Sequence, residues 1–235
     1  MTFNPEITQT RIRRAIREHG DKCAVACSWG KDSAVVLYLT LKEKPDVLVV
    51  HSNTGVDHKL TYEFRDRMVK EWSLNYVEVK GDKTYWQIIK EDGIQAVRNS
   101  GTNRVPKCCL ILKDKPAEKY YKESGIKCVL TGITAAESRN RWMLQRRCGE
   151  YYYAKSQGLW KLHPIMDWTE EEVWAFIRSE NIPYNEFYDK FPGHRCGCVP
   201  CTSYISWPER MAQENPRLHA KMMRLNGQDV FEVEQ

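Results

Sequence analysis

The residues of this sequence best suited to chemistry begin in a polar stretch, CSWGKDS at 27–33, which separates two apolar runs. The shorter run (23–26) precedes it and the longer run (34–39) follows it, which predicts a strand, a tight turn and a buried helix. A helix N-terminus carries unpaired N–H groups and partial positive charge, so this turn is suited to hold an anion such as phosphate. Gly30 would allow close approach and Lys31 would add charge. The alternative is an ordinary capped helix whose polar side chains only satisfy backbone groups.

Four cysteines form the second candidate site. Cys198 and Cys201 are separated by two residues, and Cys108 and Cys109 are adjacent. Two such pairs, brought together by folding, would supply the four soft ligands of an iron–sulfur cluster or a tetrahedral metal ion. Adjacent cysteines suit structural zinc poorly, because its chelating pairs usually have two to four intervening residues. Zinc and unligated thiols stay as alternatives, and Cys196 is either a substitute ligand or a free thiol.

Cys148 is a third candidate because it follows Arg146 and Arg147. Positive charge beside a cysteine favours the nucleophilic thiolate, so Cys148 could handle sulfur during catalysis. The alternative is a loop residue with no chemical role.

These residues must be positioned by the surrounding elements. Apolar runs at 47–50, 76–79 and 127–131 predict three further strands, with helical stretches between successive strands. This alternation requires right-handed crossovers and predicts an α/β fold with a doubly wound parallel sheet and a C-terminal cysteine-bearing helical segment. The loops at 51–57 and 132–141 follow strands, so they should lie at the same sheet edge as the anion-binding turn.

Other segments add detail to this architecture. Residues 5–19 predict a basic helix, whose arginines either face solvent or contact nucleic acid. A hairpin is expected at 151–162, and a helix at 110–123 with an early interruption at Pro116. Ser206 with Glu209 is expected to cap a helix near the end of the sequence.

Composition limits the class of protein. The 235 residues are 42% hydrophobic and carry a formal net charge of +5, which suits one substantial domain that binds anions. No secretory signal or membrane-spanning run is evident, so we expect a cytoplasmic protein with reduced thiols. The predicted organisation is a basic helix (1–19), a nucleotide-binding domain (20–205) and a helical tail (206–235).

The motifs together resemble the phosphoadenosine-phosphosulfate (PAPS) reductase family of the adenine nucleotide alpha hydrolases. Residues 28–33 resemble that superfamily's Ser-Gly-Gly-Lys-Asp-Ser pyrophosphate loop, and 132–141 resemble its Gly-x-x-x-x-Glu-Ser-x-x-Arg segment. The stretches 164–169 and 182–189 resemble the family's Pro-Ile-x-Asp-Trp-Thr and Ile-Pro-Tyr-Asn-x-x-Tyr-Asp signatures. Trp29 departs from the family glycine; it is strained if its φ is positive, and otherwise its indole could cover the nucleotide.

The resemblance implies a specific set of site residues. Those expected to bind an adenine nucleotide are Ser28, Trp29, Gly30, Lys31, Asp32, Ser33, Asn53, Thr54, Gly55, Gly132, Glu137, Arg139 and Arg141. Lys31 and Asp32, with Cys148, are the expected catalytic residues, and Mg²⁺ is expected on the pyrophosphate. The cysteines resemble the Cys-Cys…Cys-x-x-Cys set of iron–sulfur sulfonucleotide reductases, which implies a four-iron four-sulfur cluster on Cys108, Cys109, Cys198 and Cys201.

The resemblance leaves three functions open. The family's reductases attack sulfate sulfur with a C-terminal cysteine, whereas this sequence has no cysteine after Cys201. We therefore first expect cleavage of ATP between its α and β phosphates, activating an acceptor such as a nucleic acid for sulfur transfer from a sulfur donor. The alternative is reduction of adenylyl sulfate (APS) or PAPS to sulfite with a thioredoxin-like partner, using Cys148, Cys196 or a partner's thiol. The third is a non-catalytic nucleotide-binding partner subunit.

Overall fold

The computed structural model describes residues 4–94, 106–203 and 207–225 and divides them into two compact units. The first unit draws on Met1–Ser52, Lys59–Val79 and Ala117–Cys196, and the second on Asn53–His58, Lys80–Pro116 and Gly197–Gln235. Both units are discontinuous in sequence. Most of the predicted loop at 93–106, the cap at Ser206 and the final residues 226–235 lie outside the described residues.

The first unit is built on a six-stranded sheet. Its strands are β1 (Cys23–Ala26), β2 (Leu48–Ser52), β3 (Tyr76–Val79), β4 (Cys128–Thr131), β5 (Tyr151–Ala154) and β6 (Leu159–Leu162). Their order is β3-β2-β1-β4-β6-β5, and every neighbouring pair is parallel except β5 with β6. The predicted doubly wound α/β fold is therefore confirmed, with the hairpin as its antiparallel edge.

The first α-helix precedes the strands, and the others lie between and after them. They are α1 (Pro5–His19), α2 (Lys31–Glu43), α3 (Lys59–Glu71), α4 (Tyr85–Asp92), α5 (Lys107–Cys109), α6 (Lys115–Glu123), α7 (Arg139–Cys148), α8 (Glu170–Ser179), α9 (Phe187–Lys190), α10 (Trp207–Glu214) and α11 (Pro216–Leu225). Within the described residues, no helix has the length and apolar character needed to cross a membrane.

The core of the first unit explains why β1 and α2 are the central elements. Val25 of β1 and three residues of α2, Val35, Val36 and Leu37, are fully buried. Helix α2 is apolar nearly all round because it packs against the sheet, α1 and α8. Burial of both faces fixes the end of β1 and the start of α2, and so positions the polar turn between them.

The predicted basic helix α1 forms as expected, and its residues Arg11, Arg13 and Arg14 are ion-paired within the chain. Arg13 lies 2.9 Å from Glu43, and Arg14 lies 2.9 Å from Glu18 one turn along the helix. These contacts favour a solvated, ion-paired face over a dedicated nucleic-acid surface.

The second unit has its own smaller core. Tyr85, Ile88 and Ile89 of α4 pack with Met211 of α10 and Met222 of α11. The helix predicted at 110–123 is instead a π turn (Leu110–Asp114) followed by α6, and α5 directly precedes the π turn. The π turn ends two residues before Pro116, which has no N–H to donate to a regular helical ladder.

Candidate nucleotide and thiol sites

The polar turn after β1 presents an uncapped helix N-terminus. Gly30 is the N-cap residue of α2, has an extended backbone (φ −84°, ψ 164°) and offers no side-chain cap. The hydroxyl of Ser33 donates to the Gly30 carbonyl at 3.0 Å, so that serine caps no N–H group. The backbone N–H of Lys31 donates to the Tyr188 hydroxyl at 3.1 Å. The arrangement supports the anion-binding interpretation over the capped-helix alternative.

A cavity of about 530 Å³ opens at this turn, within the first unit. Eight of the predicted nucleotide-binding residues line it: Ser28, Gly30, Lys31, Asp32, Ser33, Gly132, Glu137 and Arg141. We call it the nucleotide cavity. Its volume falls in the range of small-molecule sites, which is roughly 300–1,000 Å³.

Cationic side chains in the nucleotide cavity are held by carboxylates. The Lys31 side chain is only 8% exposed, and its Nζ lies 3.0 Å from Asp32 and 3.6 Å from Glu170. Arg141 pairs with Glu137, which Arg195 also contacts at 3.0 Å. A phosphate or sulfate could replace these carboxylates as the partner of each cation, because its oxygens accept the same hydrogen bonds.

The loop after β4 lies directly against the start of α2. A Cβ atom at Gly132 would lie 2.5 Å from the backbone nitrogen of Ser33 and 2.6 Å from the carbonyl carbon of Asp32. Only glycine fits at that separation. The close contact fixes the wall of the nucleotide cavity that Ile133 and Ala136 continue.

Trp29 is buried in the core, although its sequence neighbours Ser28 and Gly30 line the nucleotide cavity. Its φ is 63°, in the left-handed region, and its side chain is 1% exposed. The indole packs edge-on against Phe64 and tilted against Tyr76, with ring centroids 6.3 and 6.0 Å away. The side chain therefore belongs to the core and does not line the nucleotide cavity. Of our two interpretations of Trp29, backbone strain holds and a cover over the nucleotide does not.

The four predicted metal-ligating cysteines come together in the second unit. Cys108, Cys109, Cys198 and Cys201 line one small cavity, which we call the thiol cavity. The first pair lies on the helical stretch that begins at Lys107, and the second on a turn closed by a hydrogen bond from the Cys201 N–H to the Cys198 carbonyl.

Neighbouring backbone and side chains hold the turn of the thiol cavity in place. Residues Asp57 and Cys198 form an antiparallel bridge, and the Val199 N–H donates to the Val56 carbonyl at 2.8 Å. The Tyr85 hydroxyl donates to the Pro200 carbonyl at 2.8 Å.

A half-buried lysine, Lys113, supplies positive charge beside these thiols. Burial opposes the charged form of Lys113, but the negative charges of Cys198, Asp57 and Cys109 outweigh it and raise its pKa. Burial also raises the pKa of Cys198 to about 11, and Lys113 partly offsets that rise. A lysine held in its charged form would balance the negative charge of thiolate ligands.

The lining of the thiol cavity suits an iron–sulfur cluster. Its candidate ligands are all soft sulfur atoms, and no carboxylate or imidazole lines it. Among the described residues, no group of three or more His, Cys, Asp or Glu side chains is arranged to hold a single metal ion. Four soft sulfur donors fit the ligand set of an iron–sulfur cluster.

Comparison with known proteins agrees with this arrangement. Residues 22–204 match the phosphoadenosine phosphosulfate reductase domain. The chain belongs to that family. An adenosine 5'-phosphosulfate reductase of Staphylococcus epidermidis is 29% identical over 195 residues, which cover 83% of this chain and 76% of that protein.

Two solved structures share the fold. A phosphoadenylyl-sulfate reductase from Candida auris, in a phosphate complex, is 20% identical with a TM-score of 0.61, covering 84% of this chain and 97% of that one. A U34-tRNA thiolase from Methanococcus maripaludis, solved with its 4Fe-4S cluster, is 14% identical with a TM-score of 0.55, covering 95% and 77%.

Several predicted site residues of this family member lie elsewhere. Asn53, Thr54 and Gly55 belong to the second unit, where the Cys198 thiol donates to the Thr54 hydroxyl at 3.4 Å and Thr54 lines the thiol cavity. Arg139 is exposed at the start of α7 and does not line the nucleotide cavity. Neither does the exposed Cys148 at the end of the same helix.

Cys196 lies apart from the four candidate metal ligands. It does not line the thiol cavity but belongs to the first unit, where it lines the nucleotide cavity. The lining residues that were not predicted include Glu170, Tyr188 and Arg195. Tyr188 lies in a family signature whose residues we interpreted as packing residues. Nothing in the sequence distinguishes a packing role from a place in the lining of the nucleotide cavity. Arg195 could have been singled out from the sequence, because it is a positively charged residue directly before the candidate cysteine Cys196.

Proposed function

We propose that the chain is a sulfonucleotide reductase that binds APS or PAPS in the nucleotide cavity and releases sulfite. The observation that carries this proposal is the convergence of an uncapped helix N-terminus with Lys31, Arg141 and Arg195 around one cavity of nucleotide size. The names of the curated relatives support reduction over the ATP cleavage that we first expected.

Each group of the nucleotide cavity has a distinct task in this proposal. The N–H groups at the start of α2 would bind the phosphate oxygens, and Lys31 would stabilise charge on the bridge that breaks. Arg141 and Arg195 would hold the remaining phosphate or sulfate oxygens, exchanging Glu137 for the ligand. Because Lys31 is buried, water would screen its positive charge less than that of an exposed lysine.

The thiol cavity would hold a four-iron four-sulfur cluster on Cys108, Cys109, Cys198 and Cys201. When bound, such a cluster would supply a polarising, redox-capable group. Lys113 would balance its negative charge. The Thr54 hydroxyl, which accepts a hydrogen bond from the Cys198 thiol, would instead donate one to that sulfur once it is a thiolate ligand. A thioredoxin-like protein is the proposed source of reducing equivalents.

The test uses the full chain, purified anaerobically with its iron and labile sulfide measured. The protein is incubated separately with APS, PAPS and ATP, each with dithiothreitol or thioredoxin, and sulfite, AMP and pyrophosphate are measured. We expect sulfite from one or both sulfonucleotides. Lys31→Ala should lower the rate by about a hundredfold or more. The matched control is Lys155→Ala, which removes an exposed lysine outside the nucleotide cavity and should leave the rate unchanged.

Cleavage of ATP is the second candidate function, and one observation favours it. Two carboxylates, Asp32 and Glu170, line the nucleotide cavity beside Lys31. One or two carboxylates together with substrate phosphates are a common binding site for Mg²⁺. Pyrophosphate from ATP with no sulfite from either sulfonucleotide would replace our proposal with this one, and a nucleic-acid acceptor would then be sought. Nucleotide binding without any turnover would favour a partner subunit.

A further inference from the structure

One thiol of this chain lies inside the nucleotide cavity. The Cys196 sulfur lies 3.2 Å from the Tyr188 hydroxyl and 3.1 Å from the position that a Cβ atom would take on Gly30. Gly30 is the N-cap of α2, so the sulfur sits at the point where the helix N-terminus would receive the substrate's phosphate and sulfate groups.

The other thiols of the first unit are less suited to attack a ligand in this cavity. Cys27 is 2% exposed, and burial raises its pKa to about 12, so it stays a neutral thiol within the core. Cys23 and Cys128 are buried in neighbouring strands, and Cys148 is exposed without lining the cavity. Among the described residues, Cys196 is the cysteine that lines the nucleotide cavity.

Tyr188 is placed to orient that sulfur. Its hydroxyl oxygen accepts a hydrogen bond from the Lys31 N–H at 3.1 Å, which leaves the hydroxyl proton free to be donated to the Cys196 sulfur. Burial, and then the nearby Cys196 sulfur, raise the pKa of Tyr188, so this proton stays on the tyrosine. The relay links the start of α2 to the sulfur through one side chain.

We propose that Cys196 is the nucleophile of the reaction and that Tyr188 is its positioning residue. The inference rests on the proposed reductase function. The Cys196 sulfur would form a bond to the sulfate sulfur of APS or PAPS while the bond from that sulfur to the bridging phosphate oxygen breaks. AMP, or its 3'-phosphate, leaves with the electron pair, the thiol proton is released to solvent, and Cys196 carries an S-sulfonate.

A dithiol completes the cycle. Its first thiolate attacks the Cys196 sulfur and displaces sulfite, which leaves with the electron pair of the sulfur–sulfur bond. Its second thiol then resolves the mixed disulfide, regenerating the Cys196 thiol. The dithiol is oxidised by two electrons to a disulfide, and the sulfate sulfur is reduced by two electrons to sulfite.

The test is a single-turnover reaction of the iron-loaded full chain with APS, and separately PAPS, in the absence of any reductant. We expect release of up to one nucleotide per chain and an added SO₃ group on the Cys196 peptide by mass spectrometry. Cys196→Ser should abolish both, yet it should still bind AMP by calorimetry and retain its iron. Tyr188→Phe should slow adduct formation by at least about tenfold without weakening AMP binding to the same extent.

The matched control is Cys128→Ala, which removes a buried thiol that lines neither cavity and should leave adduct formation unchanged. An SO₃ group on another cysteine, or full sulfite production by Cys196→Ser, would overturn this assignment while leaving the reductase function standing. Failure of the wild-type protein to yield sulfite from either sulfonucleotide with a dithiol would instead reject the proposed function itself.

Discussion

At the scale of single residues, Trp29 shows how packing can outweigh backbone preference. A left-handed backbone costs a non-glycine residue roughly 1–2 kcal/mol, and glycine would avoid that cost. The buried indole contributes more, since truncating a buried aromatic side chain typically costs about 3–5 kcal/mol. Trp29 therefore stabilises the first unit even though its conformation is strained.

We accordingly expect Trp29→Gly to lower the free energy of unfolding by about 3 kcal/mol, despite the relief of backbone strain. Trp29→Phe is the matched variant, because it keeps an aromatic ring and removes an indole N–H that has no hydrogen-bond partner among the described residues. It should cost no more than about 1 kcal/mol. Urea unfolding measures both, and a glycine variant as stable as the natural chain would refute the packing argument.

His163 gives the chain a pH-dependent stability. It is buried beside the cavity residue Thr131, whose hydroxyl lies 2.6 Å from its Nδ1, and burial lowers its pKa to about 4. Between that value and the ordinary 6.5, the unfolded chain binds more protons than the folded one, so stability rises with pH. The contribution is complete above pH 6.5 and is lost as the pH falls toward 4.

We expect this histidine to account for up to about 3 kcal/mol of the stability lost over that interval. His163→Asn, which retains a polar atom near the Nδ1 position, should flatten the dependence. The measurement is urea unfolding at several pH values between 4 and 7. Equal pH slopes for the two proteins would show that His163 is not the titrating group.

At the scale of elements, the nucleotide cavity depends on how closely the loop after β4 approaches the start of α2. The parallel pairing of β1 with β4 brings their carboxyl ends together, with Ala26 opposite Thr131. Gly132 then lies against the backbone of Asp32 and Ser33 with no room for a side chain. The two loops therefore act as one rigid wall of the cavity.

Gly132→Ala should force these loops apart and impair the site more than the fold. The added methyl would meet backbone atoms that cannot rotate away, so we expect AMP affinity to fall by at least about tenfold. Gly125→Ala is the contrasting variant. That position has open space for a methyl group, but its φ of 69° is left-handed and unfavourable for alanine. It should cost stability and leave AMP affinity unchanged, as calorimetry can test; unchanged affinity in Gly132→Ala would contradict our account.

At the scale of the whole molecule, each compact unit carries one of the two candidate sites. The nucleotide cavity is lined by residues of the first unit, and the thiol cavity by residues of the second. Ligands of the two sites should therefore stabilise different parts of the chain.

Hydrogen exchange measured by mass spectrometry tests this division. Saturating AMP should slow exchange in peptides covering 28–33 and 131–141, since binding at a hundred times Kd stabilises a site by about 2.7 kcal/mol. Removal of iron with a chelator should speed exchange in peptides covering 107–114 and 198–203. Lys31→Ala is the control that should lose the AMP effect and keep the iron effect. Protection by AMP confined to the second unit would contradict the assignment of the cavities.

The sequence by itself determined the fold class and most of the elements. The apolar runs that became β1, β2 and β4 are nearly continuous because both faces of these inner parallel strands are covered, and such runs can be recognised without a structure. Ser28, Lys31 and Gly132 were predicted because they occupy fixed positions relative to those runs, at strand ends that must share one edge of the sheet. The pairing of Cys108 and Cys109 with Cys198 and Cys201 followed from ligand chemistry.

Only the tertiary structure decided where individual side chains of the loops lie. Sequence spacing does not determine which way a loop side chain points. The sequence therefore could not assign Trp29 to the core or to the nucleotide site, and it could not assign Thr54 to the thiol cavity. Cys196 lies two residues from Cys198, yet the chain passes from one compact unit to the other between them. Because burial and long-range contact determine such positions, the sequence left Cys196 open as a substitute metal ligand, a free thiol or a reactive thiol, and the fold places it at the nucleotide cavity.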